Sequence, residues 1–451
     1  MTPTPDRLRP DRRRHDRRRH DREILALAVP AFGALVAEPL FLLADSAIVG
    51  HLGTAQLAGV GVASAVLATA AGLFVFLAYA TTAAVARRIG AGDRRAAVQQ
   101  GIDGIWLALL LSLGVVALAL LLAPWAVSAL GASPTAAPYA VTYLRISSLG
   151  LPAMLVVMAA TGVLRGFQDT RTPLVVAVAG FTANLGLNLA LVYGAGLGVA
   201  GSAWGTVLAQ SAMAVAYLVV VVRGARREGA GLRPDLPGIR ACARAGGPLM
   251  VRTLSLRAVL MIATAVAARL GNDQIAAHQI AMTLWSFLAF ALDAIAIAGQ
   301  AIVGRHLGAG DVPGTRAATR RMVEWGVGAG VLFGVLLVVA RPLYIPLFTP
   351  DPAVQEQLGQ VMLLVALTQP VAGPVFVLDG VLMGAGDGGY LALAMLGTLV
   401  AFVPAALAVP SLGLGLSGLW WAMNLFMLVR GAFLYGRARG GDWLVTGAVR
   451  A

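Results

Sequence analysis

The chain contains no lysine; all 34 of its basic residues are arginine. It has a single cysteine, Cys242, which excludes an intramolecular disulfide, and no Cys–His spacing of a metal site occurs. Charge is also scarce. Only 12% of the 451 residues are charged, against 59% hydrophobic. No soluble domain of this size is so apolar, and the composition is that of a polytopic membrane protein. There is no His–Glu metal motif, no nucleophile elbow and no sizeable loop between apolar runs, which argues against a membrane-embedded protease or transferase. No catalytic residue, cofactor or metal is assigned, nor any obligatory protein partner. His51, His278 and His306 are read as ordinary hydrogen-bonded residues at helix ends. The net charge of +13 raises nucleic acid as a partner, but the arginines crowd into alternate loops. A membrane orientation explains that pattern, and no nucleic acid is inferred.

Windows of about 20 apolar residues give twelve expected spans. They lie near 24–49, 56–82, 98–123, 139–164, 173–194, 200–222, 247–269, 275–303, 318–340, 357–383, 390–410 and 416–436. The expected organisation is a basic tail (1–23), a six-helix bundle (24–222), a linker (223–246), a second bundle (247–436) and a tail (437–451). The first tail carries DRRRHDRRRHDRE, a disordered low-complexity segment read either as a tether to anionic lipid or as a dispensable leader. With the N-terminus inside, cytoplasmic segments hold 29 of the 34 arginines and external loops hold only Arg269 and Arg341. Both termini are therefore expected in the cytoplasm.

The halves repeat. The offset that carries Pro30 onto Pro248 also places Gln56 on Gln274, and Gly90-Ala91-Gly92-Asp93 on Gly308-Ala309-Gly310-Asp311. The same register carries Pro152 onto Pro370, Gly166 onto Gly384 and Asp169 onto Asp387. Six spans per copy is an even number, so the copies share topology about an axis along the membrane normal, around a central cavity. The GAGD turns lack the spacing and the preceding strand of a nucleotide loop. Glycine as helix C-cap and aspartate as the next N-cap accounts for them.

Charges inside spans mark the candidate site, because a mid-helix carboxylate costs roughly 2.5–3.5 kcal/mol on insertion scales. The first span carries Glu38 and Asp45, about two turns apart on one face, together with helix-kinking Pro30 and Pro39. The second half carries Arg252, Arg257, Asp293 and Asp379. Arg257 and Asp293 have matched depth near the midplane and are expected to pair, either structurally or facing substrate. Arg252 is expected to snorkel. Asp379 is read as a gate or an interfacial charge.

The ordered set of LLADSAIVG in the first span, paired GAGD turns and RGFQDTRTP (165–173) resembles the multidrug and toxic compound extrusion transporters, in particular their DNA-damage-inducible F branch. The likeness covers about residues 24–436. It implies an all-α, V-shaped pair of six-helix bundles that open alternately to each side. The expected activity is antiport: small organic, cationic or amphipathic compounds leave in exchange for protons, across a bacterial cytoplasmic membrane. By the same resemblance the cation-coupling set falls on Asp45, Tyr143, Asn184, Asn188 and Thr206, with Glu38 assisting. Asn188 departs from the branch, standing where an acid is expected. Sodium coupling, organic-anion export and flipping of a lipid-linked oligosaccharide are the alternatives; a channel fits the midplane charges less well.

The orientation is testable by cysteine accessibility. In a Cys242→Ser background, Ser133→Cys should react with an impermeant reagent from outside and Gly231→Cys only from inside. Reversed labelling would overturn it.

Overall fold

The computed structural model describes residues 10–450, with side chains from residue 17 onward except that of Glu38. Among the described residues the chain is helical without strands. In order, the first half is α1 (Pro10–Gly50), α2 (Thr54–Phe74), α3 (Phe76–Gly90), α4 (Arg94–Ala129), α5 (Ala137–Ser148), α6 (Leu151–Gly166), α7 (Arg171–Leu189) and α8 (Gly198–Glu228). A π-helical turn, Ala190–Gly194, extends α7. The second half is α9 (Leu236–Leu270), α10 (Asn272–Gly308), α11 (Val312–Val339), α12 (Arg341–Phe348), α13 (Pro352–Gly384), α14 (Gly388–Ser411) and α15 (Gly415–Arg439).

Among the described residues, ten helical segments are long and apolar enough to cross a membrane, α2 and α3 counting as one, and the pair α5–α6, bent by 50°, makes an eleventh. The twelfth span expected from the sequence is α15, which packs on α13 and α14. It is less apolar because it carries Asn424 and Arg430, both buried against its neighbours. Between the halves, α8 runs to Glu228 and α9 starts at Leu236, so helix extends into both ends of the expected 223–246 linker. Pro30 and Pro39 lie inside α1, which continues through both.

The GAGD turns are built as their residue types dictate. Gly92 and Gly310 adopt φ of 82° and 74°, the left-handed conformation that glycine reaches without strain. Asp93 and Asp311 then cap the next helices, accepting from the amides of Ala96 and Gly314 at 2.8 Å. The Gly314 amide, foremost, holds the Asp311 carboxyl below its usual pKa. A third GAGD turn occupies 384–387, and its repeat mate is Gly166-Phe167-Gln168-Asp169. Gln168 takes the left-handed position there, φ 64°. Its side-chain amide oxygen accepts from Arg305, a contact that Gly386 in the other copy has no side chain to make.

The repeat register reappears in the packing. A methyl group at Gly90 would coincide with the Arg305 carbonyl oxygen, and one at Gly308 with the Arg87 carbonyl oxygen. The two contacts are repeat mates of each other, so the halves meet reciprocally across a pseudo-two-fold axis. Within the halves, Gly162 abuts the Ala78 carbonyl as its mate Gly380 abuts that of Ala296. The buried apolar core is continuous across both halves at this turn-bearing, arginine-rich end, here called the basic end. At the opposite end the first half has a separate core around Val49, Val60, Val127, Tyr143 and Ala203. The bundles are thus joined at the basic end and diverge away from it.

Replacing Gly308 or Gly90 by valine should push the basic ends apart at an overpacking cost of about 1–3 kcal/mol. Disulfide trapping of Ala91→Cys with Ala309→Cys should report it. Undiminished trapping in Gly308→Val would contradict the contact.

Candidate functional site

The first-half site is assembled from four helices. Asp45 of α1 is 6% exposed and has no ion-pair partner among the described residues. Its Oδ1 accepts from Asn188 Nδ2 of α7 at 2.6 Å and from Ser202 Oγ of α8 at 2.9 Å. One turn towards the basic end, Asn184 Nδ2 donates to Thr206 Oγ1 at 3.2 Å. The Tyr143 hydroxyl of α5 completes the group, beside Asp45, Ser202 and Thr206. Asn184 and Asn188 are four residues apart on α7, and Ser202 and Thr206 four apart on α8, so each pair shares one helical face.

Local backbone makes this closeness possible. Gly205 has no side chain, and a methyl group there would fall on Asn188 Oδ1. The π-helical turn follows Asn188 closely, and such turns recur at functional sites. From it the Tyr193 hydroxyl donates to the Ile48 carbonyl at 2.6 Å, fixing the end of α1 beside Asp45. The Oδ1 atoms of Asn184 and Asn188 are buried without a hydrogen-bond partner among the described residues. A buried carboxylate with two donors therefore sits beside two unused acceptors, an arrangement able to take up a proton or an oxygen-loving cation. The fold brings Asp45, Tyr143, Asn184, Asn188 and Thr206 together. The Glu38 side chain lies outside the described residues. Sequence reasoning misses Ser202; its position four residues before Thr206 is the available signal.

The second half corrects the sequence expectation. Arg257 and Asp293 are not paired. Equal depth does not give equal direction: Arg252 and Arg257 are five residues apart and so point about 140° apart around α9. Arg252 faces inward, 7% exposed, instead of snorkelling. Its Nε donates to Asp379 Oδ1 at 3.1 Å and its Nη2 binds Asp379 Oδ2, a bidentate pair. Arg430 Nη2 reaches the same Oδ2 at 3.1 Å, and its guanidinium lies 5.4 Å from the Phe376 ring centroid. Asp379 is thus the centre of a buried triad, neither a gate nor an interfacial charge. Arg430 escapes a sequence reading because it sits close to the expected end of the last span.

Asp293 instead accepts from the Tyr79 hydroxyl of α3 at 3.4 Å, and Gln300 Nε2 donates to the Tyr79 carbonyl at 2.7 Å. Both bonds cross between the halves. Arg257 is exposed and packs its guanidinium on Gly72 of α2, where the two halves face each other.

Comparison with known proteins decides the family. The MatE family model matches residues 30–190 and again 248–407, most of the chain in two copies that begin at the repeat mates Pro30 and Pro248. The chain belongs to the MatE family. It is 33% identical to Protein DETOXIFICATION 44, chloroplastic, of Arabidopsis thaliana, over 93% of this chain and 83% of that protein. It is 32% identical to the DNA damage-inducible protein F of Escherichia coli (strain K12), over 90% of both chains. Among solved structures, the Vibrio cholerae MATE transporter VcmN in a mutant form superposes with a TM-score of 0.86 at 21% identity, covering 94% of this chain and 97% of that one. A second MATE transporter, described as outward-facing, gives 0.84 at 23% identity, covering 94% and 96%. These likenesses establish the fold, and MATE proteins are multidrug and toxic compound efflux transporters, not enzymes.

The buried triad makes a sharp contrast with the exposed arginine. Asp379→Asn strands two buried guanidinium groups and should cost about 3–5 kcal/mol, read as a lowered Tm in detergent. Arg257→Gln should stay within about 0.5 kcal/mol of the parent. Equal destabilisation by the two would contradict these pairings.

Proposed function

We propose that the protein exports small organic, cationic or amphipathic compounds from a bacterial cell in exchange for protons, with Asp45 as the main coupling group. The observation that carries this reading is a carboxylate buried in the first bundle, bonded only by neutral donors. A buried ion without a counter-charge is costly, and protonation removes that cost. Protonated Asp45 becomes a donor, and the unused Oδ1 of Asn188 is beside it once the amide is rotated. The proton thereby exchanges one set of α1–α7–α8 contacts for another.

Only a change of contacts makes the proton useful, because one pH unit supplies just about 1.4 kcal/mol per proton. The coupling site belongs to the separate core of the first bundle, on the side where the halves diverge. Repacking of α1 there alters the contacts among α1, α7 and α8 without disturbing the joined basic end. With the basic end towards the cytoplasm, the divergent side opens outward, which is the release side of an exporter. Rotation of the same two amides would offer their oxygens, with the Asp45 carboxylate, as hard oxygen ligands of the kind sodium takes. That is the one competing reading with an observation behind it.

Reconstituted vesicles separate the readings. A proton gradient alone should drive efflux of a dye cation, and a sodium gradient alone should not. Asp45→Asn should insert and fold but lose gradient-driven export by at least about tenfold, corresponding to ~1.4 kcal/mol of lost coupling. Ser202→Ala should weaken export less. Near-normal export by Asp45→Asn would remove Asp45 from the mechanism, and efflux driven by sodium alone would replace the proton.

A further inference from the structure

A cavity of about 560 Å³ lies at the basic end, on the seam between α3 and α4 of the first half and α9 of the second, closed on one side by residues 448–450. Its walls are graded. Towards the basic end the lining carries four arginines, Arg87, Arg88, Arg244 and Arg450, beside Gln100, Ala241 and Cys242. Deeper along the same helices the lining becomes apolar, with Phe76 and Leu77 on α3, Leu107 on α4 and Leu249 on α9. Arg87 and Leu77 are ten residues apart on one helix, about 15 Å along its axis.

Among the described residues, no acid lines the cavity. Arg450 is neutralised by Asp387 at 3.0 Å, and Arg87 is spent on the carbonyls of Ala385 and Val445. Arg88 and Arg244 make no ion pair or hydrogen bond among the described residues; Asp103, just behind the lining, lies within electrostatic reach of Arg88 and Cys242. Arg87, only 2% exposed, also keeps an Nε without a partner at this wall. A cationic mouth above an apolar shaft of that length matches an anionic head group with its proximal acyl chain. Basic pockets between membrane helices on the side facing an anionic leaflet hold lipids in this way.

We propose that this cavity is a binding site for an anionic phospholipid. Arg88 and Arg244 bind its phosphate, and the acyl chain fills the space between α3, α4 and α9. Since α3 and α4 belong to one half and α9 to the other, a bound lipid bridges the seam and favours the closed basic end. The site does not involve Asp45, so loss of lipid binding and loss of proton coupling are separate outcomes.

The test is thermal unfolding of the full chain in detergent with added lipid. Phosphatidylglycerol should raise Tm saturably. In the double variant Arg88→Gln, Arg244→Gln, half-saturation should need about 30-fold more lipid, at ~1 kcal/mol per basic residue near an anionic head group. The double variant Arg88→Lys, Arg244→Lys keeps the charge and should keep most of the shift. Arg226→Gln with Arg227→Gln, which removes equal charge from the end of α8, should leave it unchanged. The proposal is overturned by an equal shift with phosphatidylcholine or with inorganic phosphate alone. Equal loss in the α8 control would overturn it as well.

Discussion

Two helix backbones touching carbonyl to glycine, at Gly90 against Arg305 and at Gly308 against Arg87, set the geometry of the whole transporter. In a bilayer, helix association draws on close packing and hydrogen bonds, because lipid tails are as apolar as leucine. Small residues that admit a neighbouring backbone are therefore where two bundles can be held firmly. Here the pair is concentrated at one end, and the core becomes two cores at the other. The separate core beside Asp45 lies at the end of the bundles away from those glycines.

The two polar sites differ in a way that burial alone does not reveal. Asp379 is buried with two guanidinium groups and is a fixed structural ion. Asp45 is buried with an amide and a hydroxyl, partners that serve either protonation state. Compensated charge stabilises one arrangement, whereas uncompensated charge leaves the protein responsive to what arrives from outside. The Tyr79 bonds to Asp293 and Gln300 link the two regions, since they tie α3 of the first half to α10 of the second.

Much of this is legible in the sequence, for identifiable reasons. The duplication is visible because glycines and caps that contact backbone tolerate few substitutes, so Gly90/Gly308 and Asp93/Asp311 hold one register across the two halves. The Asp45 group is legible through family likeness and through i,i+4 spacing on α7. The second-half pairing is not. Depth can be counted along a helix, but the partner met by Arg252 or Arg257 around α9 depends on which neighbour is present. The last span is defined by its apolar run, and Arg430 within it reads as a terminal charge. The helix at both ends of 223–246 is obscured by Pro234, Pro237 and the arginines, although Asp235 is a sound N-cap for a helix with proline in its first turn.

Arg87 and Arg305 are repeat mates, and each crosses to the opposite half, yet they hold different things. Arg305 grips the side chains of Glu23 and Gln168, whereas Arg87 grips the main-chain oxygens of Ala385 and Val445. The first grip is partly solvated and ionic, so dissolved salt weakens it; the second is dry and uncharged on the acceptor side, so salt scarcely touches it. Two fastenings that descend from one ancestral turn therefore answer to different surroundings. Rising ionic strength therefore weakens the Arg305–Glu23 contact, on the edge where α1 docks on α10, more than it weakens the Arg87 contacts.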